Sequence, residues 1–245
     1  MLNRMGWEVH RYRPSSDPRA QLYSLLTNDR LNVVLDIGAN VGQYGTELRE
    51  LGYSGRIVSV EPLASAHAKL SERALHDDKW LVAPRCAIGA TEGEVRINIA
   101  GNSVSSSVLS MNTVHSDAAP GSSYVGSELT PLMSLDRACA QFIGPSDRVF
   151  LKVDTQGYEW AVLDGATDTL KQVHALSIEA SLVELYERQH LWANVVERLT
   201  SSGWKVWDIQ PAFSDPRSGQ LLQVDLLFVR ADLPVVKSKQ GFPQT

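Results

Sequence analysis

Val33-Val34-Leu35-Asp36-Ile37-Gly38-Ala39-Asn40-Val41-Gly42 is the stretch that decides how the rest of the chain is read. A short, nearly continuous apolar run ends in glycine, the mark of a strand buried on both faces that stops at a tight turn. A helical pattern follows at once: Tyr44, Leu48 and Leu51 are spaced for one buried side, and Gly52 closes it. Strand, glycine turn and covering helix together open a parallel sheet.

The same rhythm continues outward. Residues 56–61 read as a second strand stopped by Pro62, and residues 64–75 as its helix. A third strand is predicted over 80–88, and an alternating fourth over 94–99 at a sheet edge. Strands over 149–154, 175–179, 205–209 and 223–229 complete the set. Trp160, Leu163 and Leu170 fall on one helix; Leu191, Val195 and Leu199 fall on another, ending at Gly203. A short loop over 211–220 makes the last two strands an antiparallel edge pair. The prediction is an α/β fold, a mostly parallel sheet with helices on both faces and right-handed crossovers. Residues 1–30 read as a polar extension with a short helix over 20–27, and residues 31–245 as one domain. Residues 101–130 carry nine serines with Pro120, Gly121 and Gly126 and little periodicity. They predict a long loop, which in a compact domain is usually functional, here a lid or a source of hydroxyls near a ligand.

The composition removes several classes. A net charge of −5 argues against nucleic acid as partner, and 43% hydrophobic with 21% charged residues argues for a folded core. No apolar run approaches the roughly 20 residues that span a bilayer. Met1-Leu2-Asn3-Arg4 begins no secretory pattern, so the expected location is cytoplasmic. Arg4, Arg11 and Arg13 leave room for peripheral contact with an anionic lipid surface. Cys86 and Cys139 form no CxxC pair and are expected to be buried. The six histidines show no i, i+4 pair, so no metal motif is read.

In a parallel sheet, ligands bind beyond the carboxyl ends of the strands. Gly38 and Gly42 let the backbone pass close to a ligand. Glu61, about twenty residues on, can accept the hydroxyls of a ribose. The pattern here is D-x-G-x-N-x-G, with Asp36 on the strand and Asn40 in the turn. Asp36 would repel the pyrophosphate of a nicotinamide dinucleotide and would suit the ammonium and sulfonium of S-adenosylmethionine. The plainer alternative is that Asp36 only caps the turn. In an architecture of this kind the end of the third strand meets adenine, which points to Cys86, Ala87 and Ile88 by position alone, with plain core packing as the alternative for each.

Period-two alternation puts Phe150, Lys152 and Asp154 on one face of a strand. A lysine inside a buried strand needs a partner. Asp154, Glu159 and Glu179 are expected to converge on it, either as a structural ion-pair network or as a reactive centre.

Residues 36–45, Glu61-Pro62, the 152–159 stretch K-V-D-T-Q-G-Y-E, the 130–135 lead-in and Ile178-Glu179 together resemble the FkbM family of S-adenosylmethionine-dependent methyltransferases, over about residues 30–230. The resemblance implies a class I, Rossmann-like seven-stranded sheet. It also implies O-methylation, with a sugar hydroxyl of a glycolipid or glycosylated natural product as acceptor. Methyl transfer to an alcohol needs a base, for which Asp154 is the first candidate and Glu159 or Glu179 the second. Lys152 would hold that carboxylate ionised or bind a substrate oxygen. Clustered carboxylates would also suit Mg²⁺, although no liganding pattern calls for it. One departure stands out: the family often has glutamate where this chain has Gln156. The rivals are an NAD(P)-dependent oxidoreductase and a non-catalytic cofactor-binding module.

Overall fold

In the computed structural model, which describes residues 13–232, every residue of β1 (Val33–Ile37) is buried. Helix α1 (Pro18–Asn28) precedes it and starts on the Asp17 carboxylate, which accepts the Arg19 and Ala20 amides. The chain continues through α2 (Gln43–Glu50), β2 (Arg56–Val60), α3 (Ala64–Ala74), β3 (Trp80–Val82), β4 (Ala87–Ile88) and β5 (Gly93–Ala100). Then come α4 (Thr113–Ala118), β6 (Tyr124–Met133), α5 (Leu135–Cys139), β7 (Val149–Val153), α6 (Glu159–Asp164) and α7 (Thr169–Gln172). The last elements are β8 (Val173–Ser181), α8 (Trp192–Ser201), β9 (Trp204–Ser214) and β10 (Leu221–Arg230).

Seven strands form the main sheet in the order β3-β2-β1-β7-β8-β10-β9. The first five are parallel, and β10 runs antiparallel to both of its neighbours. This is the predicted sheet with its antiparallel edge pair. One face buries Leu35, Leu151, Val153 and Ile178 under Val162, Leu163 and Leu199. The other buries Val34, Phe150 and Leu227 under Leu25 and Leu26 of α1 and Leu48 of α2. Strand order reverses between β1 and β7, so the crevice for a ligand opens at their carboxyl ends.

Four expectations are corrected. The predicted strand 80–88 is two strands, because Pro84 lies between them and has no N–H for a ladder. The strand predicted over 94–99 does not edge the main sheet; it belongs to a second sheet of order β4-β6-β5. Residues 101–130 are not one loop, since they hold α4, a 3-10 turn over Pro120–Ser122 and most of β6. β6 escapes a sequence reading because its first half is mostly exposed, and pairing with β5 supplies the strand. The helix carrying Trp160, Leu163 and Leu170 is broken at Gly165. There the backbone comes so near the Gly89 carbonyl that an added Cβ would lie 2.0 Å from its oxygen.

Cys86 and Cys139 are buried free thiols, as expected. Arg4 and Arg11, two of the arginines considered for lipid contact, lie outside the described residues. No helix among the described residues is long and apolar enough to cross a membrane.

Gly45 in α2 gives the packing a direct test. A Cβ there would stand 2.2 Å from the Trp80 ring, and the Trp80 indole N–H is tied to Ser59 Oγ at 3.0 Å. On an exposed helix, glycine to alanine gains ~1 kcal/mol. Here overpacking reverses the sign, and Gly45→Ala is expected to lose ~1–3 kcal/mol in urea denaturation. Combining it with Trp80→Phe should recover part of that loss; equal stability of Gly45→Ala and wild type would contradict the packing.

Candidate active site

The turn after β1 is built for close approach. Gly38 has φ +85°, and a Cβ on it would meet the Asp154 carbonyl oxygen at 1.8 Å. The Asp154 amide donates to the Ile37 carbonyl (3.0 Å) and the Gly38 amide to that of Val60 (3.0 Å), lacing together the ends of β1, β2 and β7. Asn40, also left-handed at φ +46°, donates its amide to Glu61 Oε2 at 2.8 Å. Gly42 caps α2 and faces Leu70 and Trp80. It is not part of the cavity wall.

Above this turn lies a cavity of about 350 Å³, walled by Gly38, Asn40, Glu61, Ala87, the 103–108 segment, Lys152 and Asp154. A second cavity of about 210 Å³ lies on the α1 side of the sheet, and Glu179 and Asp225 line it. Tyr44, Glu47, Lys152 and Asp154 line both.

The register sets the charges. Asp36 sits beside Lys152 across the β1–β7 ladder and beside Ser59 across the β1–β2 ladder. Ser59 Oγ donates to Asp36 Oδ2 at 3.2 Å, while Oδ1 has no hydrogen bond and faces Lys152 Nζ at 3.8 Å. Asp36 is fully buried and touches neither cavity, although its charge acts on Lys152, Tyr44 and Glu61, which do. Burial raises the Asp36 pKa, and Lys152 partly offsets that. Burial works against the charge on Lys152, but Asp154 and Asp36 outweigh it and raise its pKa. Lys152 Nζ donates to Asp154 Oδ2 at 3.0 Å and lies 5.1 Å from the centre of the Tyr44 ring.

Asp154 and Glu179 are joined by one amide. Gln156 Nε2 donates to Asp154 Oδ1 at 2.9 Å and to Glu179 Oε2 at 2.8 Å. Gln156 Oε1 accepts the Tyr186 hydroxyl at 2.8 Å. Glu179 Oε2 also accepts from Gln223 at 2.7 Å. Burial, then the charges of Asp154 and Glu159, drive the Glu179 pKa well above the usual range.

Glu159 does not join this group. Its Oε1 accepts the amides of Thr155 (2.9 Å) and Gly157 (3.1 Å), so it braces the loop that follows β7. Glu61 spends its oxygens on the Asn40 and Leu63 amides, each at 2.8 Å, and burial pushes its pKa up to about 7. Sequence reading missed Tyr44 and Gln156 as wall residues; it placed Tyr44 on a buried helix face and noted Gln156 only as a departure. It also missed Asp225, which lies opposite Glu179 in the β8–β10 register. Only that pairing brings it to the site. Among the described residues, no group of three or more His, Cys, Asp or Glu side chains is arranged to hold a metal ion.

A seven-stranded sheet of this order, reversed at β10 and with its crevice beside β1, is the class I, Rossmann-like methyltransferase fold. Residues 36–206 match the methyltransferase FkbM domain, and the chain belongs to that family of S-adenosylmethionine-dependent methyltransferases. Among solved structures, the chain is similar to Aeropyrum pernix fibrillarin with natively bound S-adenosyl-L-methionine. That likeness has 12% identity over 85% of this chain and 72% of that one, with a TM-score of 0.46. It is also similar to a precorrin-6y C5,15-methyltransferase from Geobacter metallireducens, with 14% identity over 86% and 88% of the two chains and a TM-score of 0.43. No curated protein sequence matches the chain.

Glu159 makes the loop's electrostatics measurable. Burial raises its pKa from 4.5 to about 7, so the folded state binds its proton more tightly than the unfolded state. That contribution is complete below the unfolded value and is lost as pH rises through about 7. At ~1.4 kcal/mol per unit, it amounts to at most about 3–4 kcal/mol. Glu159→Gln keeps an Oε1 acceptor and removes the titration. Denaturation at a series of pH values should therefore show wild type losing stability relative to the variant from about pH 4.5 to about pH 7. Parallel profiles would refute it.

Proposed function

We propose that the protein transfers a methyl group from S-adenosylmethionine to a hydroxyl oxygen of a small acceptor, with Asp154 as the base. The acceptor class that family kinship favours is a sugar of a glycolipid or glycosylated natural product. The single observation behind the assignment of the base is that Asp154 lines both cavities, flanked by Lys152.

The larger cavity fits the cofactor. Each Glu61 oxygen accepts one backbone amide and keeps a lone pair for a ribose hydroxyl. Leu63, Ala87 and Ile88 offer apolar surface to an adenine, and Gly38 presents bare backbone. A volume of about 350 Å³ suits a ligand of this size. When bound, S-adenosylmethionine supplies a methyl group already activated on a sulfonium.

The protein's remaining tasks are alignment and proton removal. Asp154 Oδ1 and Oδ2 are held by Gln156 and Lys152, which aims the carboxylate at the junction where an acceptor hydroxyl would enter. Asp154 would take the acceptor's hydroxyl proton, while bound S-adenosylmethionine would supply the methyl group and be left as the neutral thioether. Lys152, kept protonated by its two carboxylates, steadies the negative charge that the oxygen carries in passing.

The cofactor and the base are tested separately. S-adenosylhomocysteine at ~100 times its Kd should raise the unfolding midpoint by a few degrees, whereas NAD and NADP should not. Asp154→Asn should bind S-adenosylhomocysteine with nearly wild-type affinity. It should lose ~10²–10⁴ in turnover, read as S-adenosylhomocysteine release on methyl glycosides. Near-normal turnover would remove Asp154 as the base, and a response to NAD alone would overturn the reaction class.

A further inference from the structure

We infer that Tyr186 and Gln156 are a positioning pair for the base: Tyr186 fixes which way the Gln156 amide faces, and that amide holds Asp154 and Glu179 side by side with one negative charge between them. Their role in the reaction rests on the methyl-transfer reading above, whereas the pairing itself does not.

Two distant stretches of backbone bring the pair together. Tyr186 lies between β8 and α8 and is fully buried. Its backbone bridges to Met111, and the next amide, of Glu187, donates to the Ser110 carbonyl at 2.8 Å. Gln156 follows β7 with φ +55°, where a residue other than glycine persists only if its surroundings hold it. Here the Ser107 hydroxyl donates to the Gln156 carbonyl at 2.6 Å. Gly157 lets the tyrosine approach, since a Cβ on it would stand 3.0 Å from Tyr186 Cβ.

The donors decide how the amide is turned. The Tyr186 hydroxyl has one proton and two acceptors, Gln156 Oε1 at 2.8 Å and the Ser105 carbonyl at 3.2 Å. With Oε1 facing that hydroxyl, the two N–H groups of Nε2 point at Asp154 Oδ1 and Glu179 Oε2. Turned by half a rotation, the amide would set a bare oxygen against both acids. Tyr186 lines neither cavity, so it would act on an acceptor through Gln156.

The surrounding charges then separate the two acids. Asp154 has the Lys152 ammonium at 3.0 Å, and Asp36 of β1 faces the same ammonium at 3.8 Å. Glu47 of α2, which lines both cavities, is paired with Arg19 of α1 at 3.2 Å. Glu179 has only amide donors, from Gln156 and Gln223, and it feels the charges of Asp154, Glu159 of α6 and Asp225 of β10. Burial and these acids keep a proton on Glu179, which leaves Asp154 as the carboxylate able to accept one.

The test compares wild type, Tyr186→Phe and Gln156→Glu as full chains. Tyr186→Phe removes one hydroxyl and should keep wild-type affinity for S-adenosylhomocysteine, which also shows that it is folded. With S-adenosylhomocysteine release on methyl glycosides as the assay, its kcat should fall ~5–20-fold at unchanged KM for S-adenosylmethionine, the loss of about one hydrogen bond. Gln156→Glu removes a donor from Asp154 and adds a negative charge beside it. An ionised base is then harder to form, so the acid limb of kcat should move up by about one pH unit or more. A purely structural role would lower stability and leave that limb in place. If Gln156→Glu does not fold, Tyr186→Phe decides alone. If the glycosides give no turnover, NMR of the Gln156 side-chain amide decides, its signals assigned by their absence in Gln156→Met. Both N–H protons should exchange with water ~100-fold more slowly than those of a free amide in wild type, and markedly faster in Tyr186→Phe. An unmoved limb in Gln156→Glu, full kcat in Tyr186→Phe, or a freely exchanging amide in wild type would overturn the pair. Failure of S-adenosylhomocysteine to bind wild type would instead strike the proposed function, and the amide exchange would still decide the pairing.

Discussion

The pairing of β1 with β7 is the constraint on which the site depends. It sets Asp36 opposite Lys152 and brings the Gly38 backbone against the Asp154 carbonyl, where no side chain fits. Shifting the pairing by one residue would turn Lys152 to the opposite face, away from Asp36. A lysine inside a sheet is tolerable only with its partners, because removing one from a buried pair costs ~3–5 kcal/mol. Asp36 and Asp154 divide that role: one is sealed in the sheet and one is open to the cavities.

From that pair the order spreads outward through polar side chains. Trp80 holds Ser59, Ser59 holds Asp36, and Lys152 carries the link on to Asp154. Gln156 extends it to Glu179 and Tyr186, from a left-handed backbone at φ +55°. Its amide nitrogen has two N–H groups, one for each carboxylate. A glutamate at this position would bring a third acid to the same spot and no donor. In this chain the departure from the family's usual residue is therefore an integrated part of the acid pair, bonded at both ends of its amide.

The serine-rich stretch serves the same centre. Ser103 meets the Asn40 side chain at 3.3 Å, and Ser107 Oγ donates to the Gln156 carbonyl at 2.6 Å. Ser103, Ser106 and Ser107 line one wall of the larger cavity. The serines of this stretch are thus tied to both the β1 turn and the β7 loop.

What the sequence by itself determined is local. The apolar run at 33–37, the glycines behind it and Glu61 at the end of the next strand are set by burial and by backbone freedom, and both can be read along the chain. The face shared by Lys152 and Asp154 follows from the two-residue period of a strand. Tertiary structure decided everything that depends on which strands become neighbours. Asp36 looked like a ligand contact until the β1–β7 register paired it with Lys152. Glu159 looked like a partner of that lysine until the loop amides claimed it. Asp225, Gln210 and Arg19 carry no local signal, and they meet at one cavity only because β10 lies antiparallel beside β8 and α1 covers the same face. A chain records which residues must be buried, but long-range pairing alone sets which charges then lie side by side.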